Sequence, residues 1–209
     1  MKIDIWSDFA CPFCYIGKRN LENALEEFNS QGDIEIVFHS FQLDPDAKQG
    51  IKFDSVASLS EKYGIPIEEA QKMIDRIVKM AKNVGLEYNY DKVVHTNTFN
   101  AHRLVQYGKT IDRDDELVER LFKAYFIDGL DIGDIEVLGD LSQEMGLNRE
   151  EILDILNSER YVSDVEDDKR LSQQLGINSV PFFVIENKIA IPGAQPTETF
   201  LQVLKEVEE

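Results

Sequence analysis

Cys11 and Cys14 are the only two cysteines among 209 residues, and they stand three apart in Asp8-Phe9-Ala10-Cys11-Pro12-Phe13-Cys14-Tyr15-Ile16-Gly17. A pair at this spacing, after an apolar run and before a helical pattern, is placed for thiol–disulfide chemistry. Pro12 suits the first position of a helix, where its missing N–H has no helical partner. Cys11 would then precede that helix, and its thiolate would face the free N–H groups of Phe13 and Cys14 at the positive end of the dipole. Cys14 would lie one turn in, within reach of Cys11 and more sheltered. Asp8 is the nearest acid and opposes a thiolate, whereas Lys18 and Arg19 favour one.

Three plainer readings compete. A closed zinc site needs four ligands, and none of His39, His95 and His102 pairs with another at a ligand spacing, so no metal is expected. A structural disulfide across so short a loop would restrict the unfolded chain little. Two ordinary buried thiols are the third reading. The redox pair accounts best for the spacing, the proline and the flanking elements together.

Those elements follow from local pattern. Ile3, Ile5 and Trp6 mark a short strand. Ile16, Leu21, Leu25 and Phe28 recur at helical spacing from Pro12 to about Asn29. Gln31-Gly32-Asp33 reads as a turn, and Ile34 to Phe41 as a second strand, parallel to the first. The next hundred residues hold almost nothing strand-like. One helix follows Gly64-Ile65-Pro66, with Ala70, Met73, Ile74, Ile77, Val78, Ala81 and Val84 on one face. A second is capped by Asn97, a third runs from about Arg113 to Asp128, and a fourth starts at Asp134. Asn148 and Glu151 resemble a capping box for a fifth, and a sixth spans about Arg160 to Leu175. Val180 to Ile185 and Ile189 to Ile191 form a hairpin around Glu186-Asn187-Lys188, and Pro196 opens a last amphipathic helix. The expected architecture is α/β, with residues 1–48 and 160–209 forming one discontinuous domain and residues 49–159 an inserted all-helical domain.

Composition is ordinary for a globular chain, 43% hydrophobic and 30% charged. With 22 basic and 40 acidic side chains the formal net charge is −18, which disfavours nucleic acid and anionic membranes as partners. No window approaches the length of a membrane span. Met1 to Trp6 lack the basic and long apolar regions of a secretory signal, so the expected location is cytoplasmic, a compartment where an exposed pair of thiols is more often catalytic than structural.

The order strand, Cys-Pro-x-Cys helix, strand, late Val-Pro, hairpin and final helix resembles the thioredoxin fold, and the long helical insertion resembles the DsbA-like branch. Asp8 to Gly17, Asn97 to Leu104, Leu121 through Asp131-Ile132, Val180-Pro181-Phe182-Phe183 and Gly193-Ala194-Gln195-Pro196 are similar to its FrnE-type members, and the likeness covers nearly the whole chain. The resemblance implies a thiol–disulfide oxidoreductase, able also to shuffle disulfides. Cys11 would be the nucleophile, Cys14 the resolving thiol and Pro181 the cis-proline beside them. Pro12, Phe13 and Val180 would contact substrate, Phe9 would join an apolar rim, and His102 would lie toward the cleft. The backbone of Val180 would pair with an extended substrate segment. Partners would be protein thiols and disulfides or small thiols such as glutathione, with no cofactor beyond the Cys11–Cys14 pair. The sequence sets no oligomeric state.

Phe13 stands where strongly oxidising periplasmic members carry histidine. A phenyl ring donates no hydrogen bond to a thiolate, so the expected potential lies away from about −120 mV and nearer about −270 mV. Two other functions fit the same resemblance: a glutathione-dependent isomerase or transferase of small aromatic compounds, and a redox-gated binding or chaperone module. The former generally have serine at the position of Cys11.

Overall fold

The computed structural model describes residues 1–28, 32–52 and 54–208. Its elements run β1 (Lys2–Ser7), α1 (Pro12–Glu27), β2 (Glu35–Ser40), β3 (Ile51–Lys52), α2 (Ser55–Tyr63), α3 (Ile67–Asn83), β4 (Val94–His95), α4 (Phe99–Lys109) and α5 (Asp114–Lys123). After a π-helical turn at Ala124–Asp128 come α6 (Ile135–Glu144), α7 (Arg149–Leu156), α8 (Val162–Gln174), β5 (Phe182–Ile185), β6 (Ile189–Pro192) and α9 (Thr197–Glu208). They form two compact units, Met1–Leu43 with Val165–Glu209, and Asp44–Asp164.

The first unit is a four-stranded mixed sheet in the order β2-β1-β5-β6. β1 and β2 are parallel, from Lys2 opposite Glu35 to Ser7 opposite Ser40. β5 is antiparallel to β1, with Trp6 opposite Phe182, and β6 is antiparallel to β5. Ile3, Phe183, Phe200 and Leu204 are fully buried, and Phe183 meets Phe200 edge to face at 4.8 Å between ring centroids. This is the thioredoxin-like α/β arrangement expected from the sequence. The hairpin turns over Glu186, Asn187 and Lys188, with Glu186 and Asn187 at positive φ and the Lys188 N–H donating to Ile185 O at 2.9 Å.

The second unit is mainly helical. Asp134 and Asn148 cap α6 and α7 through their side chains, as their sequence positions suggest. Asn97 lies one residue before the N-cap of α4 and accepts from Phe99 N at 2.9 Å. The third expected helix is α5 together with the π-turn. It ends at Gly129, whose φ is +72° and where a Cβ would collide with Lys92.

Two features depart from the sequence reading. A small antiparallel pair, β3 with β4, lies in the stretch read as free of strands. Helix α2 was not expected, and none of its residues is buried. It is fixed instead at its ends, by Asp54 accepting from Val56 N and Ala57 N and by the left-handed Gly64. The turn expected at Gln31-Gly32-Asp33 begins outside the described residues, as does the expected end of the first helix at Asn29.

Candidate active site

The Cys11 loop is built by β1 and α1. β1 ends at Ser7, the Cys11 N–H donates to Asp8 O at 3.0 Å, and the Cys14 N–H donates to Cys11 O at 3.1 Å. Cys11 is the N-cap of α1 and Pro12 its first residue. Asp8, only 2% exposed, turns its carboxylate to the backbone, accepting from Ala10 N at 3.4 Å and Leu43 N at 2.7 Å. That geometry joins the loop after β2 to the cysteine loop.

The Cys11 side chain does not meet the helix N–H groups. It makes no capping hydrogen bond; its Sγ donates to Val180 O at 3.6 Å. A protonated sulfur is a donor and seeks an acceptor, which the helix N-terminus does not offer. Both cysteines are free thiols, and they are equally sheltered at 3% and 2% exposure rather than Cys14 alone. Lys18 and Arg19 both pair with Glu22, one turn along α1 from Lys18.

Burial pushes the Cys14 thiol well above its ordinary value, and its hydrogen bond to Cys11 and the charge there act in the same direction. The Asp8 backbone and the Ser7 side chain pull it the other way, by less. The folded reduced protein therefore keeps a proton that the unfolded chain releases near pH ~8.5. Stability from this thiol is complete below that pH and falls as pH rises toward the folded-state value, at up to about 1.4 kcal/mol per pH unit. Thermal unfolding in a phosphine reductant should show the midpoint of the parent dropping more steeply between pH 7 and 10 than that of Cys14→Ser. Parallel curves would refute this.

From the far end of the chain, the Val180–Pro181 bond is cis. Pro181 O accepts from Gly193 N at 2.8 Å, and Gln195 O accepts from Asn20 Nδ2 of α1 at 2.8 Å. The segment Gly193 to Gln195, noted in the sequence only for its family likeness, thus ties Pro181 back to the helix that carries the thiols. Pro12 and Val180 are half-buried, Phe13 is 38% exposed, and Phe9 is buried at 4%. Cys11, Cys14, Pro12, Phe13, Phe9, Val180 and Pro181 all belong to the first unit; His102 is buried on α4 of the second.

One cluster escaped the sequence reading. His39 contacts Asp168 Oδ1 through Nδ1 and Asp4 Oδ1 through Nε2, each at 2.7 Å, and stacks on Trp6 at 4.4 Å. Asp168 also accepts from Ser40 N. Trp6 and His39 are brought opposite each other only by the register of β1 and β2, and Asp168 lies far along the chain, so no local signal joined them. Among the described residues no group of three or more His, Cys, Asp or Glu is arranged to hold a metal ion, and no helix is long and apolar enough to cross a membrane.

Comparison with known proteins places this geometry. A probable DsbA oxidoreductase, SCO1869 from Streptomyces coelicolor, superposes with a TM-score of 0.93 at 36% identity, over 99% of this chain and 89% of that one. The uncharacterized protein YwbO of Bacillus subtilis (strain 168) is 29% identical over 207 residues, covering 98% of this chain and 96% of that protein. The cytosolic disulfide reductase DsbM from Pseudomonas aeruginosa shares the fold, with a TM-score of 0.67 at 18% identity over 99% of this chain and 98% of its own. It also shares it in a structure with GSH, with a TM-score of 0.68 at 17% identity over 100% of both chains. The family model of the DSBA-like thioredoxin domain matches residues 2–205. The chain belongs to the DSBA-like thioredoxin-domain family.

Proposed function

We propose that the protein is a thiol–disulfide oxidoreductase in which Cys11 and Cys14 form the redox pair. The observation that carries this reading is the pair itself: Cys11 at the start of α1 with its sulfur against Val180 O, and Cys14 one turn along with its thiol held protonated. Deprotonated Cys11 attacks one sulfur of a substrate disulfide. The new S–S bond forms as the old one breaks, and the other substrate sulfur leaves as a thiolate. Cys14 loses its proton and attacks Cys11, which breaks the mixed disulfide and releases the second thiolate. The two electrons of the dithiol pass to the substrate, and the released protons match its two thiolates. In reverse, the same steps oxidise a dithiol.

Phe13 and Pro12 offer apolar surface next to Cys11, and Val180 offers backbone to an extended segment. The partners in this reading are protein disulfides or small thiols. DsbM, described as cytosolic and solved with GSH, supports glutathione as a co-substrate and a reducing compartment as the setting. The Asp8 to Gly17 motif supports a place among FrnE-type members. No cofactor beyond the dithiol takes part.

The test is the oxidised fraction of Cys11–Cys14 across defined glutathione buffers, read as alkylation mass shifts. A reversible two-electron transition is expected. Because Phe13 donates nothing to a thiolate, its midpoint should fall nearer about −270 mV than about −120 mV. A pair that stays reduced throughout would remove the mechanism.

A further inference from the structure

We propose that Gly17 is a positioning residue for the reactive thiol, keeping α1 close enough to Pro181 that the Val180 carbonyl rests against Cys11. Gly17 lies inside α1, where glycine is a poorer helix former than alanine, so its use there calls for a reason. A Cβ at this position would stand 3.1 Å from Pro181 Cγ and 3.1 Å from Phe183 Cζ, tighter than ordinary van der Waals contact. Neither neighbour can yield freely. Phe183 is fully buried against Phe200, and the Pro181 carbonyl is held by Gly193 N.

The contact lies one peptide from the chemistry. Pro181 follows Val180, whose oxygen receives the Cys11 thiol at 3.6 Å. Helix α1 therefore holds the sulfur at its first turn and also supports the carbonyl facing that sulfur. It does so directly through the bare backbone of Gly17, and indirectly through the hydrogen bonds that run from Asn20 by way of Gln195 and Gly193. A methyl group at residue 17 wedges Pro181 away from α1. Loss of the Asn20 amide loosens the second support. Either change draws the carbonyl off Cys11, which frees the thiol proton from its acceptor and opens the sulfur to an electrophile.

This inference rests on Cys11 being the reactive thiol of the proposed reaction, and its test needs no disulfide substrate. In a Cys14→Ser background Cys11 is the sole thiol, and its alkylation rate by iodoacetamide at pH 7 is the readout, with circular dichroism confirming the fold. Gly17→Ala and Asn20→Ala should each alkylate about threefold faster than the background, the size expected for losing one weak sulfur contact. Adding Phe183→Leu to Gly17→Ala relieves the aromatic half of the clash and leaves the proline half, so the faster rate should persist. Background rates in Gly17→Ala, or return to the background rate with Phe183→Leu, overturn the proposal. If Gly17→Ala does not fold, Asn20→Ala decides alone, and a background rate there overturns it. A Cys11 that resists alkylation in every variant would sink the reading of it as the reactive thiol, and this proposal with it.

Discussion

Cys11→Ser should lower the turnover of a disulfide-bonded peptide, with dithiothreitol as the final reductant, by roughly 10³-fold or more. The hydroxyl that replaces the sulfur is not ionised at neutral pH and cannot form the mixed disulfide, so the first step has no substitute. Cys14→Ser should fail differently. Its Cys11 still attacks, but nothing resolves the product, and mass spectrometry should find the peptide joined to Cys11. This asymmetry separates the dithiol route from a glutathione-dependent isomerisation, which needs no resolving thiol and would survive Cys14→Ser. A Cys11→Ser protein with parental disulfide turnover would end the proposed mechanism.

The second large effect concerns stability and lies far from the thiols in sequence. Arg103 of α4 is only 4% exposed. Its guanidinium donates to the carbonyls of Ile155 at 2.7 Å, Leu156 at 3.0 Å, Ser158 at 2.5 Å and Arg160 at 3.0 Å, and to Asn100 Oδ1 at 3.1 Å. These carbonyls close the C-terminal end of α7 and the segment after it, where helical partners run out and the helix dipole favours a cation. Burial lowers the pKa of the guanidinium from its ordinary value, but that value is high enough to leave the charge in place at neutral pH. Arg103→Ala should cost about 3–5 kcal/mol, because several buried acceptors lose their donors together. Arg103→Lys should recover only part, since one ammonium cannot span the positions reached by a planar fork. Urea unfolding would measure both; a loss under about 1 kcal/mol for Arg103→Ala would show that water replaces the arginine.

What the sequence disclosed and what it hid divide along the range of the interactions involved. Pro12 after Cys11, the side-chain caps at Asp134 and Asn148, and the apolar stripe of α3 are local signals, and local structure follows them. The stripe was resolved unevenly: Ala70, Ile74 and Ala81 are buried, whereas Met73, Ile77 and Val78 are half-buried. Helix α2 was illegible because periodicity detects a buried face and this helix buries none. The acceptor for the Cys11 thiol was illegible for another reason. Helix geometry offers N–H donors to an anion, but the protonated sulfur took a carbonyl contributed by residue 180. Likewise His39 looked unremarkable among its neighbours in sequence, and only the folded chain sets Asp4 and Asp168 on its two nitrogens. The family likeness drew attention to Val180-Pro181; no property of that dipeptide alone links it to residue 11.

The separation of these parts along the chain bears on when the protein acquires its chemistry. Cys11 and Cys14 leave the ribosome well before Val180, Pro181 and Gly193. Until the second half of the sheet is made, the two sulfurs belong to an unfinished chain, with neither the carbonyl opposite Cys11 nor the burial that holds Cys14 protonated. Domains fold as units once their residues are available, and a unit made of two separated stretches must wait for the segment between them to be translated. A growing chain therefore carries two commonplace thiols, open to whatever oxidant or capping thiol surrounds the ribosome. The carbonyl that meets Cys11 arrives only when the β5–β6 hairpin docks beside β1.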